Sequence, residues 1–291
     1  MRLKSLLVAA LAATMLLPTS FAGAQAPELP DGAIQRGDGT YAVELKEEVP
    51  AWYTSELHNK VVAAGIKGES VPLPAGVDLD IPASGLAFTG IRPGSWILFP
   101  AGCTTNFVFK GDSAIGTAGH CASIGDEVTI VAAPGVLMNI GRVSLSRDNG
   151  IGDDFALIDI YPAMQQYVNP SMAHWAGPTG AANPAVGDAV VHSGHGLVIG
   201  TGGTPRAGVV TYTGPGDTGN PSQAYGWDGA ASPGDSGSAV RNVTGAAAGN
   251  LTHLVVGTDY LPAFIAGTTI SRMQQLAGPV STASLVPDPL F

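Results

Sequence analysis

Three short segments hold side chains able to act together on an acyl group. The first is Thr117-Ala118-Gly119-His120-Cys121. The second is Gly152-Asp153-Asp154-Phe155-Ala156-Leu157-Ile158, and the third is Ser232-Pro233-Gly234-Asp235-Ser236-Gly237-Ser238. A serine hydroxyl is a poor nucleophile until a base within hydrogen-bond reach takes its proton. A histidine titrates near neutral pH and can both take and return that proton. A buried carboxylate fixes the imidazole tautomer and stabilises the imidazolium. Around Ser236, Gly234 and Gly237 free the backbone for a tight turn that can aim successive N–H groups at a developing oxyanion. Taken singly, each segment has an ordinary reading: a turn serine, a structural histidine beside a cysteine, an aspartate opening a strand. Together, in the order His, Asp, Ser, they are far more specific.

These segments sit in a β-rich stretch that begins at Trp96. Short runs rich in β-branched and aromatic residues, separated by glycines, predict strands at 96–99, 104–109, 112–118, 127–132, 141–146, 155–160, 189–193, 207–212, 238–241, 253–258 and 268–271. That pattern points to a sandwich or a pair of barrels. Ile270, Met273 and Ala277 share a helical face, so a short helix follows and Gly278-Pro279 stops it. Upstream, residues 25–70 are more charged. Tyr53, Leu57, Val61 and Ala64 lie on one face of a helix expected over 50–65. Residues 71–93 are rich in Pro and Gly and read as a linker or wrapping arm. A prosegment, an accessory subdomain and a plain extension all fit residues 25–93. A prosegment predicts a mature N-terminus near residues 85–95.

The 291 residues contain 40 Gly and 22 Pro, and only 12% are charged. That charge content is about half the usual share and argues against a helical bundle or coiled coil. With 13 Lys and Arg against 23 Asp and Glu, and no basic run, the chain is a poor nucleic-acid binder and has no obvious grip on an anionic membrane. Arg2 and Lys4, an apolar run from Leu6 to Leu17, and Ala22-Gly23-Ala24 form a secretory signal peptide over residues 1–24, cleaved before Gln25. The apolar run is shorter than the ~20 residues that span a bilayer. The two cysteines, Cys103 and Cys121, are read as one disulfide in an oxidising compartment, with a metal pair as the alternative. As a bridge they would contribute on the order of 3 kcal/mol by loop closure.

The segment from Cys103 to Cys121, the Asp-Asp-Phe-Ala-Leu-Ile run and Ser-Pro-Gly-Asp-Ser-Gly-Ser together resemble the chymotrypsin-like (trypsin-fold) serine proteases. The resemblance is to the secreted bacterial branch of the streptogrisins and α-lytic protease, and it spans residues 94–278. It implies an all-β domain, 94–291, of two six-stranded antiparallel β-barrels with a short C-terminal helix, preceded by an extension carrying one helix. It implies a disulfide between Cys103 and Cys121. His120 would be general base and acid, Asp154 its orienting carboxylate and Ser236 the nucleophile. The backbone N–H groups of Gly234 and Ser236 would form the oxyanion hole. The family's aspartate directly precedes an aromatic or aliphatic residue and a strand, which favours Asp154 over Asp153. Asp235 would pair with an internal cation, Arg142 being the candidate. The resemblance places the specificity-pocket base at Ala230, six residues before Ser236, so cleavage after Lys or Arg is disfavoured and an apolar or small side chain is expected. Asp259, in a wall segment that matches the family loosely, would favour basic groups if it faced inward.

The implied activity is secreted endopeptidase action on a polypeptide substrate through an acyl-enzyme, by a monomer with no cofactor or metal. The alternative is an inactive protein of the same fold that binds partners at the cell surface. Ester hydrolysis by a Gly-x-Ser-x-Gly enzyme fits poorly, because those enzymes run in the order Ser, Asp, His. The spacing of His192 and His195 does not put both on one strand face, so they are read as strand-edge or loop residues. His58 is read as a solvated helix residue. The glycosylation-type triplets at Asn242 and Asn250 are read as loops.

Overall fold

The computed structural model describes residues 29, 32–77, 79, 90–196, 205–219, 223–259 and 261–286. The expected signal peptide and most of residues 78–89 lie outside these. Two strands open the described chain, β1 (Ile34–Gln35) and β2 (Tyr41–Glu44), paired antiparallel. Helix α1 (Ser55–Gly65) follows, then β3 (Val71–Pro72). The helix starts later than expected because Thr54 caps it, its hydroxyl accepting from the Leu57 N–H at 3.3 Å. No strand was expected at β1 or β2.

The first barrel contains β4 (Trp96–Phe99), β5 (Cys103–Thr104), β6 (Val108–Phe109), β7 (Ala114–Thr117), β8 (Glu127–Ala133), β9 (Val136–Asp148) and β10 (Asp154–Ile160). Its sheet runs β5-β4-β8-β9-β10-β7-β6. The run expected as one strand over 104–109 pairs with β4 at one end, through β5, and with β7 at the other, through β6. That divided strand closes the ring of six. β10 shows the alternation that a strand packed on both faces requires. Its Ala156, Ile158 and Ile160 join the barrel interior with Ile97, Ile115 and Ile130, while Phe155 and Leu157 point into a second cluster with Phe107 and Phe109. The cysteines are bridged, as expected, across 18 positions.

The second sheet adds β11 (Gly180–Ala181), β12 (Ala189–Ser193), β13 (Pro205–Gly214), β14 (Ala224–Asp228), β15 (Ala239–Asn242), β16 (Ala246–Asn250), β17 (His253–Val256) and β18 (Pro262–Thr268). Its order is β1-β2-β17-β18-β14-β13-β12-β15-β16-β11, and a bridge from Gly249 to Thr269 brings β16 back to the end of β18. The architecture is therefore all-β with two barrels, as the resemblance implied. The sequence had not marked β14 and β16, Ala-Tyr-Gly-Trp-Asp and Ala-Ala-Ala-Gly-Asn. They contain almost no β-branched residues and owe their strand form to burial between neighbours. The strand expected at 268–271 is the end of β18 followed by the helix α2 (Ile270–Ala277). From α2, Ile270, Met273 and Ala277 seal the space between the barrels against Phe155, Met172 and Ala239.

Helix α1 is part of the first barrel's wall. Tyr53 and Val61 are buried with Trp96, Leu98 and Leu137. His58, expected to be solvated, is half-buried, its ring 4.3 Å from that of Phe99 and tilted 42° to it. Gly65 lies so close to β9 that a Cβ would stand 2.3 Å from the Asn139 carbonyl oxygen. Gly65→Ala must push the helix off the sheet and is expected to lower stability by about 1–3 kcal/mol. Substituting exposed Ala63 with Ser should stay within about 0.5 kcal/mol. Urea denaturation of the two variants measures both.

Candidate active site

His120, Asp154 and Ser236 come from three places and meet between the barrels. His120 lies in a short 3-10 turn (Gly119–Cys121) just after β7, Asp154 opens β10, and Ser236 lies in the turn before β15. His120 Nε2 is 2.8 Å from Ser236 Oγ, and His120 Nδ1 is 2.6 Å from Asp154 Oδ2. The other carboxylate oxygen accepts from the backbone N–H groups of Gly119 and His120. An ionised carboxylate can only accept, so the Nδ1 position carries the proton and Nε2 presents its lone pair to the serine hydroxyl. Asp153, the alternative carboxylate, is turned away and paired with Arg272 of α2 at 2.7 Å.

The backbone around Asp154 is held by the second barrel. Its N–H donates to Thr268 Oγ1 at 3.1 Å. Its carbonyl accepts from Thr268 Oγ1 at 3.1 Å and from Asn250 Nδ2 at 3.0 Å. Asn250 is thus a fully buried residue at the end of β16, not the surface loop residue its triplet implied. Nothing local in the sequence marks Thr268 or Asn250. Their role comes from the packing of the two barrels.

Burial alone would lower the His120 pKa, but the Asp154 charge and hydrogen bond outweigh it, and the ring is held above its ordinary value. Burial likewise opposes ionisation of Asp154, yet the adjacent His120 carries the balance and its pKa is lowered. His253, on β17, is 3.6 Å from Asp154 Oδ2, but burial pushes its pKa down to about 4, so it stays neutral at pH 7. Cys103 and Cys121 are bonded to each other, which removes them as metal ligands. Glu44, His120 and His253 each bring one ligand atom within 4.8 Å of the others. Both ring nitrogens of His120 are already engaged, which argues against a resident metal there.

In the turn that carries Ser236, Gly234 and Gly237 have φ of +97° and +90°. A Cβ on Gly237 would lie 2.1 Å from the Thr104 carbonyl oxygen. This conformation lets the N–H groups of Gly234 and Ser236 converge on one oxygen. Both donate to the Leu45 carbonyl, at 2.7 and 3.1 Å. Leu45 follows β2, which lies antiparallel along β17. Its own N–H reaches Ser236 Oγ at 3.0 Å. Such an arrangement of acceptor base, hydroxyl and paired donors can attack a carbonyl carbon and hold the oxyanion that forms.

The remaining expected site residues lie elsewhere. Ala230 is exposed, whereas Ala231 packs against the buried cluster that holds Leu45. Asp259 is exposed and accepts from the Leu261 N–H in its own turn. Asp235 accepts from the N–H groups of Gly196 and Ser232, both at 2.8 Å. Burial pushes its pKa up despite these donors. Arg142 is not its partner, being paired with Glu127 at 2.9 Å.

No protein-family profile and no curated protein matches the chain. Among solved structures it is similar to Cellulomonas bogoriensis chymotrypsin, at 18% identity and a TM-score of 0.47, over 68% of this chain and 100% of that one. It is also similar to Nocardiopsis protease, at 20% identity and 0.45, over 66% and 97%. A third is Rv3671c from M. tuberculosis in an inactive Ser-to-Ala form, at 18% and 0.43, over 70% and 92%.

Thr268→Val keeps the shape of the side chain and removes the hydroxyl. The Asp154 N–H is then buried without an acceptor, which should cost about 1–3 kcal/mol. Thermal unfolding against Thr213→Val, at an exposed position of β13, checks this.

Proposed function

We propose that this chain is a secreted serine endopeptidase of the chymotrypsin-like fold, acting as a monomer on polypeptide substrates through an acyl-enzyme. The observation that carries the reading is the joint geometry at Ser236. A histidine nitrogen lies 2.8 Å from its oxygen and two backbone N–H groups converge on a single peptide carbonyl beside it. A structural serine needs neither feature. One chain supplies every group, which supports action as a monomer. The Cys103–Cys121 bridge and the basic-apolar start of the sequence support export. Among the described residues no helix is long and apolar enough to cross a membrane. In this reading residues 94–291 form the catalytic domain and residues 25–93 an extension.

His120 takes the Ser236 proton as Oγ bonds to the substrate carbonyl carbon. Asp154 stabilises the imidazolium through Nδ1–H, and the Gly234 and Ser236 N–H groups hold the oxyanion. The tetrahedral species collapses as His120 returns the proton to the leaving amine. Water, deprotonated by the same histidine, then releases the acyl group. The intact triad and the paired donors favour this over the inactive surface-binding reading, which would need one of them broken.

Ser236→Ala and His120→Ala should each lower the rate of peptide hydrolysis by roughly five to six orders of magnitude, and the double variant little further, because the groups act as a unit. An activity within tenfold of wild type in the serine variant would refute the assignment. The pH profile gives a second check. Only neutral His120 can accept the proton, and its pKa is raised, so activity must fall as pH drops through a midpoint above about 6.5. A kcat/KM profile flat down to pH 5.5 contradicts it.

A further inference from the structure

The segment from Tyr41 to Glu47 lies along the cleft in an extended course from one barrel to the other. Tyr41, Ala42, Val43 and Glu44 pair in order with Val256, Val255, Leu254 and His253 of β17. The Leu45 N–H points at Ser236 Oγ and, at 3.4 Å, at the Thr252 carbonyl. The Leu45 side chain is 2% exposed and joins the apolar cluster of the second barrel that includes Leu251 and Trp227, with Ala231 and Leu254 packed against it. Past Lys46, Glu47 exchanges both backbone hydrogen bonds with Gly102, at 2.8 and 2.9 Å, on the first barrel. The chain is thus gripped on both sides of a single peptide bond, and the carbonyl of that bond is the one held by Gly234 and Ser236.

We infer that the Leu45–Lys46 bond is the enzyme's first substrate, and that residues 41–47 both block the cleft and display its preference for leucine before the cleaved bond. This inference rests on the reading of Ser236 as nucleophile. In the step, Ser236 Oγ bonds to the Leu45 carbonyl carbon and its proton passes to His120. The C–N bond to Lys46 then breaks, and His120 gives that proton to the Lys46 amine. Water hydrolyses the Leu45 ester, leaving a Leu45 carboxylate and free Ser236. Holding both reactants in one chain makes the reaction unimolecular. A cleft of about 710 Å³ lined by Lys46, Glu47, His120 and Ser123 lies on the leaving side and gives water a route in.

The new N-terminus is then Lys46, far upstream of residues 85–95. A cut near 85–95 would remove α1 and β3 and uncover Trp96, Leu98 and Leu137. A cut after Leu45 frees β1 and β2, which lie at the edge of the second sheet, together with the buried Ala42 and Leu45. The freed piece would stay paired to β17 and tied by Arg36 to Asp217 at 3.0 Å, so activity on other substrates should lag behind the cut.

The test is intact-mass and N-terminal analysis of the expressed full chain. Wild type should yield a fragment beginning at Lys46, and Ser236→Ala none. Leu45→Asp, which puts a charge into an apolar pocket, should slow the cut at least about tenfold. Because a variant can fail for other reasons, processed enzyme is also given the synthetic peptide Tyr-Ala-Val-Glu-Leu-Lys-Glu-Glu-Val. Cleavage between Leu and Lys is expected, with the Leu-to-Asp peptide at least about tenfold slower. Wild type that hydrolyses casein while its Leu45–Lys46 bond stays intact, or that cuts the peptide elsewhere, overturns this inference and leaves the protease reading standing. No fluorophosphonate labelling of Ser236 in either wild type or Leu45→Asp overturns both.

Discussion

Contact between the two barrels is the constraint on which the rest of the structure depends. His120 and Asp154 belong to the first barrel and Ser236 to the second, so no local element can hold the three together. The Thr104 N–H donates to the Ser236 carbonyl at 2.7 Å and the Thr104 hydroxyl to the Gly234 carbonyl at 2.8 Å. Thr268 and Asn250 reach the other way and hold the Asp154 backbone. Around these polar links, Phe107, Phe155, Met273 and Ala239 make a dry apolar seam. In such surroundings each hydrogen bond is stronger, and a lost partner costs more, than at a wet surface. The seam therefore fixes the distances among three side chains contributed by separate parts of the chain.

Electrostatics follows from that burial. Asp154 would resist ionisation at a fully buried site were it alone. With His120 on one oxygen and two backbone N–H groups on the other, its charged form is favoured. The same contact raises the His120 pKa and sets its tautomer. His253 shows the opposite outcome a few ångströms away, where burial keeps a histidine neutral. Asp235 is a third case, a buried carboxylate held by the backbone N–H groups of Gly196 and Ser232 with the Arg206 charge, not that of Arg142, acting on it.

The N-terminal segment divides physically at Leu45. Downstream, α1 supplies apolar surface that the first barrel lacks, and its close approach at Gly65 makes it integral to the wall. Upstream, β1 and β2 add strands to an edge of the second sheet, a mode in which backbone pairing gives affinity with little demand on sequence. A chain placed on such an edge pairs as a bound peptide does, with Ala42 and Leu45 buried against the second sheet.

By itself the sequence determined the kinds of residue at the centre and the texture of the body around them. The order His120, Asp154, Ser236, the glycines beside the serine and the paired cysteines are local patterns, readable without a fold. The apolar runs such as 155–160 are readable because a strand buried on both faces must be apolar almost throughout. Three things were decided only by tertiary structure. One was the choice of Asp154 over Asp153 in space. The second was the strand character of β14 and β16. The third was the seating of Leu45 at Ser236. Each depends on partners far along the chain, 191 positions in the case of Leu45 and Ser236. Backbone pairing and burial leave almost no mark on the residues that take part, so such choices become visible only once the barrels are packed.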